Sequence, residues 1–476
     1  MTWPAIVGWI LILIGLLPRS PLFLLYLFFA FGAFMSLNML GASSVNLVPQ
    51  SACAVFLVCK VLLSKGQLSR AVDAAIDPAR LGLLFAFLLY ALFSAYVMPR
   101  LFAHMVETVS MNTEVQWATL LEPTSANISQ SGYMTASAGI ALIFALSGED
   151  SLFRRHYLRA FLAGCFVLIG TGVLDMGMAA AGLGSLLEPF RNAYALLVDV
   201  EVMGSKRVVG LMPEASSYGT ACVAALGYLV FLRPCFANPL LRNWLVPLAI
   251  LGLLAMAALS TSSAAYVGLA VFGVVFAANW LRRAFSPDAP ARNQLKWEAA
   301  IAFTGAITLL AVLTFVPHAM DPVNEMIDAL VFKKSESSSY EERSMWTRVA
   351  LQAFFATDGL GVGLGSARTS NWFVAILSNT GIIGAALLGG FILRLFVRRC
   401  LSADPQSREL VAALKFGMVP QFAMSALVGT TPDIGAGLAS AMGMIASLTP
   451  ANAIAPAEPR ARAANQGRLR NGPASR

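Results

Sequence analysis

The chain is short of charge. Asp, Glu, Lys and Arg make up 12% of its 476 residues, about half the share of soluble domains, too few to cover a water-facing surface. That excludes the two or three soluble domains that length alone suggests. Also missing is the alternating polarity that a lumen-facing barrel strand requires, so the apolar segments read as helices. The opening Met1-Thr2-Trp3-Pro4 carries no basic residue, and no cleaved signal peptide is expected. None of Cys53, Cys59, Cys165, Cys222, Cys235 and Cys400 falls in a loop expected outside. A disulfide framework or Cys-based metal site there is excluded, and buried structural thiols are the simplest account.

What is present is apolar: 58% of residues are hydrophobic, with a mean hydropathy of +0.71. Runs long enough to cross a bilayer fall at about 3–17, 21–40, 47–63, 81–99, 131–147, 160–184, 215–232, 244–260, 264–281, 299–317, 372–393, 410–428 and 434–450. Only Leu17-Pro18-Arg19-Ser20-Pro21 divides the first two. The expectation is therefore an all-α, polytopic transmembrane helix bundle of about 12–14 spans over 1–450, with a large, partly helical outer loop before the eleventh.

Lys and Arg set the orientation. Alternate loops, the adjoining helix ends and the tail hold 24 of the 33 basic residues, and the positive-inside rule makes that side cytoplasmic. The segment 451–476 is then a cytoplasmic basic tail, rich in Ala, Pro, Arg and Asn and expected to be disordered. The net charge of +8 is explained by topology, so nucleic-acid binding is not implied. The remaining nine are Arg100, Arg191, Lys206, Arg207, Lys333, Lys334, Arg343, Arg348 and Arg368, on the opposite face. Eight of them lie in two loops, about 185–213 and 318–371; these and 100–130 are the long outer loops. Positive charge does not anchor an outer loop, so the cluster asks for an anionic partner; ordinary surface charge is the alternative.

The first loop runs from Arg207 to Pro213-Glu214-Ala215-Ser216. Arg207 could hold phosphate in a fork and Glu214 could take a proton, an arrangement suited to glycosyl or phosphoryl transfer. Helix capping is the other account of Glu214. In the second loop, apolar residues from Arg343 to Phe355 recur at helical spacing and predict an amphipathic helix lying on the membrane. Gly359, Gly361, Gly363 and Gly365 then make a tight flexible turn. This turn lets Arg368 approach an anion or serves as a hinge, and its spacing is not a nucleotide fingerprint. Neither loop has an acidic cluster with metal-ligand spacing, and Glu336, Glu341 and Glu342 read as a solvated face.

These residues resemble a family. Arg343-x-x-Trp346 with Ala350-Leu351, then Gly361-Val362-Gly363-Leu364-Gly365-Ser366, Asn371 and Thr380-Gly381-Ile382-Ile383-Gly384, are similar to the signature of bacterial O-antigen and exopolysaccharide polymerases and O-antigen ligases. Arg207 through Ser216 resembles their outer segment in which Arg and Gly precede Glu-Pro-Ser, with Ala215 where proline is common. Ser260-Thr261-Ser262-Ser263-Ala264 resembles their Ser-rich link. Together the matches cover about 204–270 and 340–390.

The resemblance implies a metal-independent, cofactor-free inverting glycosyltransferase, related to the GT-C enzymes, in the bacterial inner membrane. Such an enzyme moves glycan from undecaprenyl diphosphate to an acceptor hydroxyl at the outer face. Polymerisation of lipid-linked repeats is favoured over ligation to a lipid A core. A chain-length regulator or export complex would be its protein partner. Glu214 and His318 are the catalytic candidates, with His318 ranked lower because the ligase branch places its histidine nearer the end of the loop. Arg191, Arg207, Arg343, Arg348 and Arg368 are the substrate-binding candidates. A transporter or flippase using Asp175 is the rival reading, and a scaffold without activity is a third.

Overall fold

The structure, a computed structural model, describes residues 3–16, 22–34, 37–38, 46–111, 117–191, 201–202, 205–285, 295, 338–402 and 404–449. The expected span 299–317, His318 and the basic tail lie outside the described residues.

A chain with so little polar surface must satisfy its backbone internally, and helices do this within one segment. The described helices are α1 Trp3–Leu16, α2 Leu22–Leu27, α3 Pro49–Leu62, α4 Gln67–Ile76, α5 Gly82–Leu101, α6 Ser125–Ser147 and α7 Ser151–Ala180. They continue with α8 Ala215–Leu232, α9 Val246–Leu259, α10 Ser263–Ala284, α11 Ser338–Ala356, α12 Trp372–Val397, α13 Pro405–Val428 and α14 Gly435–Leu448. Strands among the described residues are limited to three antiparallel pairs of two residues each. Seven described helices are long and apolar enough to cross a membrane: α5, α7, α8, α9, α10, α12 and α13, with α8 and α9 counted together with their adjoining turns.

Helix α8 is the most enclosed of these, packed by α9, α10 and α13. On the other side α6 runs against α3, α5 and α14. Tyr26, Tyr157, Phe161 and Tyr228 join the halves through ring contacts with centroids 5.6–6.2 Å apart. Charged pairs collect at both ends. One end holds Arg80–Glu149 at 3.7 Å and Arg154–Asp404 at 3.4 Å. The other holds Arg191–Asp175 at 2.6 Å and Arg343–Glu214 at 3.4 Å.

Three expectations change. The run at 21–40 is not one helix: α2 and a short 3-10 turn stop at Ala30, and the Ala33 amide then donates to the Leu211 carbonyl at 2.9 Å. The cause is packing, since a side chain at Gly32 would meet the Met212 sulfur at 2.6 Å. Second, α11 does form, but its buried residues Trp346, Ala350, Ala353 and Phe354 face protein. Val106, Leu121, Val362 and Ala367 join Ala350 and Ala353 in a small separate core, so this face is not offered to lipid. Third, the glycine segment is not loose. Val362 and Gly363 amides donate to the Ser378 and Asn379 carbonyls at 2.8 and 2.9 Å, and the Ile382 amide donates to the Gly359 carbonyl at 2.9 Å.

That strap fills a break in α12, where Gly381 has φ 64°. A side chain at Gly361 would come within 2.6 Å of the Gly381 nitrogen, so the two backbones touch only because both residues lack one. Broken helix is tolerated in a membrane protein where other protein satisfies the freed groups. Of the cysteines, Cys53, Cys165, Cys222 and Cys235 are buried as expected, whereas Cys59 is exposed and Cys400 partly so; all six are free thiols.

Candidate functional site

The site forms where the 206–214 segment crosses the ends of α7, α8, α9 and α10. Its foundation is Asp175, an acid that α7 carries near its end. One carboxylate oxygen accepts from the Val209 and Gly210 amides at 2.9 and 3.1 Å. The other accepts from Arg191 at 2.6 Å and from Lys206 at 3.4 Å. Arg191 also donates to the Gly210 carbonyl at 2.6 Å. Asp175 and Arg191 side chains are only 2% and 6% exposed, so the pair is sealed and its charges spent on one another. Arg191 is therefore an anchor of the loop, and the substrate-binding role expected for it does not fit its position. The same bonds give Asp175 the satisfied structural role that the sequence left open against transport.

Arg207 follows directly in the segment so held. Its Nε donates to the Ser260 carbonyl at 3.3 Å and to Thr261 Oγ1 at 3.1 Å, and its Nη2 donates to the Thr261 carbonyl at 3.0 Å. These bonds tie the guanidinium to the carbonyl end of α9, where a cation is favoured. They also hold Thr261 at φ +44°, a conformation a β-branched residue rarely adopts.

Glu214 stands at the N-cap of α8, yet its side chain makes no capping bond. Its carboxylate instead accepts the Ser216 hydroxyl and the Arg343 guanidinium, both Glu214 oxygens lying 3.4 Å from Arg343 Nη2. The side-chain capping bond is thus missing, although the N-cap position still places the acid where the helix dipole favours it. The Arg343 and Glu214 side chains are 27% and 26% exposed, open enough to be reached.

Arg207, Glu214 and Arg343 therefore share one corner. Burial pushes the Arg207 guanidinium below its ordinary value; Glu214 opposes that shift and Arg343 adds to it. Two guanidiniums around one carboxylate leave net positive charge, and an added anion would relieve their repulsion. Arg368 lies over the Trp346 ring at 3.9 Å, on α11 one turn beyond Arg343. Arg348 is exposed on another face of that helix. Among the described residues no group of His, Cys, Asp and Glu could hold a metal ion.

Two contributors were not singled out from sequence as parts of this corner: Ser216, and Asp175 as the anchor of the Arg207 segment. Only Asp175 left a signal, an acid inside an apolar run. The fold and site define a polytopic helical membrane protein with a cationic, carboxylate-bearing corner at one end of its bundle. No family model and no curated protein matches the chain.

Proposed function

We propose that this chain is a metal-independent, inverting glycosyltransferase that polymerises undecaprenyl-diphosphate-linked repeat units into exopolysaccharide or O-antigen. It works at the outer face of the bacterial inner membrane. The observation that carries the reading is the pairing of Arg343 with Glu214 across 129 residues of chain, with Arg207 near enough for both charges to act on it. All three lie in stretches that resemble the polymerase and ligase family.

The chemistry follows from the groups present. An acceptor sugar hydroxyl attacks the anomeric carbon of the donor while the bond from that carbon to the diphosphate oxygen breaks. Arg207 and Arg343 stabilise the charge that moves onto the departing diphosphate. Glu214 accepts the hydroxyl proton late in the step, which requires it to exchange its Ser216 and Arg343 partners for the acceptor. Arg368 extends the cationic surface along α11. In this reading the full chain has 12–14 spans with a large outer loop before the eleventh, and its C-terminus is cytoplasmic. Ligation to a lipid A core remains the nearest alternative. Transport loses its main support with Asp175 committed to Arg191 and the loop.

Reconstitution with an undecaprenyl-diphosphate-linked repeat unit tests the proposal. Longer lipid-linked glycan is the expected product. Movement of label between leaflets without new glycosidic bonds would overturn it in favour of transport.

A further inference from the structure

Helix α4 is at the other end of the bundle from the site, between α3 and α5. It turns 112° away from α3, and Gly66 at φ +74° makes the corner, a conformation that costs other residues about 1 kcal/mol. The end is fixed by its neighbours: Arg394 and Arg398 donate to the Pro78 and Ala79 carbonyls, and Arg80 pairs with Glu149 at 3.7 Å.

Three faces run along α4. Ala71 and Ala74 are buried against the bundle, small residues that permit close approach. Leu68, Val72 and Ile76, four residues apart, form the second face and are 61%, 46% and 70% exposed. Leu63, before the corner, is 85% exposed. Ser69, Arg70 and Asp73 make the third, polar face. A helix across the bundle end with one face on protein, one apolar and bare, and one charged matches the boundary between headgroups and acyl chains. Charge selects the headgroup: between Lys60 and Arg80, Lys60, Lys65, Arg70 and Arg80 outnumber Asp73 and Asp77. Lys65 and Arg70 are both exposed.

We propose that α4 is an interfacial helix that seats Leu68, Val72 and Ile76 among acyl chains while Lys65 and Arg70 hold anionic phospholipid headgroups. The proposal is independent of the transferase reading.

Depth and headgroup choice are tested separately on the full chain. Because the other four cysteines are buried, a Cys59→Ser, Cys400→Ser background accepts one fluorophore at Leu68→Cys, Val72→Cys or Asp73→Cys. In vesicles of equal phosphatidylcholine and phosphatidylglycerol, labels at 68 and 72 should be quenched by spin-labelled acyl chains and shielded from iodide. The label at 73 should show the reverse. Equal iodide quenching at all three would overturn the seating.

For the headgroup, fluorescent phosphatidylglycerol is titrated into detergent-solubilised protein. Lys65→Gln with Arg70→Gln should weaken its binding roughly 30-fold, at about fivefold per charge. Phosphatidylcholine binding should not change, and Lys65→Arg with Arg70→Lys should retain phosphatidylglycerol. Unchanged phosphatidylglycerol binding in the double Gln variant would overturn the anionic assignment.

Discussion

At the scale of single residues, Glu214 and the two arginines make distinguishable forecasts. Glu214→Gln keeps the shape and the acceptor oxygen, so its fold should survive. Turnover per folded molecule should fall by roughly 10²-fold or more while donor binding persists. Measuring both on one purified variant checks this, and near-normal turnover would remove Glu214 from the mechanism. Arg207→Lys keeps the charge but loses the fork that also secures the Ser260–Thr261 turn. Arg343→Lys loses only the contact to Glu214 among the bonds described. Each should reduce donor affinity by about 1.5–3 kcal/mol, and Arg207→Lys should in addition lower thermal stability. Arg191→Met leaves the buried Asp175 with Lys206 at 3.4 Å as its remaining cation, and should cost about 3 kcal/mol in stability, read as a lower melting temperature. An unchanged melting temperature would disprove the anchoring role.

At the scale of elements, caps and the strap decide more than apolar length. In α13 the cap is Asp404, whose carboxylate accepts from the Gln406 amide at 3.0 Å, the Ser407 amide at 3.2 Å and the Ser407 hydroxyl at 2.7 Å. The Ser407 hydroxyl first, then the amides and Arg154, hold the carboxyl below its ordinary value. A carboxyl lowered on folding stabilises above its ordinary range and loses that contribution as pH falls through the lowered value. Asp404→Ala should therefore cost about 1 kcal/mol near neutrality. Its deficit against the parent should close only under acid conditions, as followed by thermal melts across pH.

The strap depends on Asn379, whose oxygen accepts the Gly365, Ser366 and Ala367 amides at 3.0, 3.0 and 3.1 Å. Asn379→Leu strands three buried donors, each costing about 1–3 kcal/mol. The expected result is a protein whose strap exchanges amide hydrogen rapidly, or one that fails to accumulate in the membrane; parental stability and protection would refute the strap's role. The helical spacing of α11 was readable from Trp346, Val349 and Ala353. Its covering was not, because Val106 and Leu121 come from a loop far away in the chain. Helix α4, at ten residues, is too short to register as a span, although Leu68, Val72 and Ile76 carry its period.

At the scale of the whole molecule, the proposal fixes both a topology and a phenotype. A reporter fused after 449 should be active only in the cytoplasm, and a tag beside α11 should be accessible only from outside; the opposite pair of results would invert the orientation. Deletion of the gene should leave single lipid-linked repeats and abolish long polymer. Long polymer accumulating on its lipid carrier would instead establish a ligase.

The sequence by itself determined the membrane class and the predominance of apolar helices, because burial in lipid acts on composition and run length along the chain. It also picked out Arg207, Glu214 and Arg343, through their place in the outer loops and the family resemblance of the stretches that hold them. Only the tertiary structure decided that these three meet, that Arg191 is consumed by Asp175, and that the Glu214 side chain leaves its helix uncapped. Those outcomes depend on contacts between distant segments and on which charges the packing brings together, and neither periodicity nor hydropathy records them.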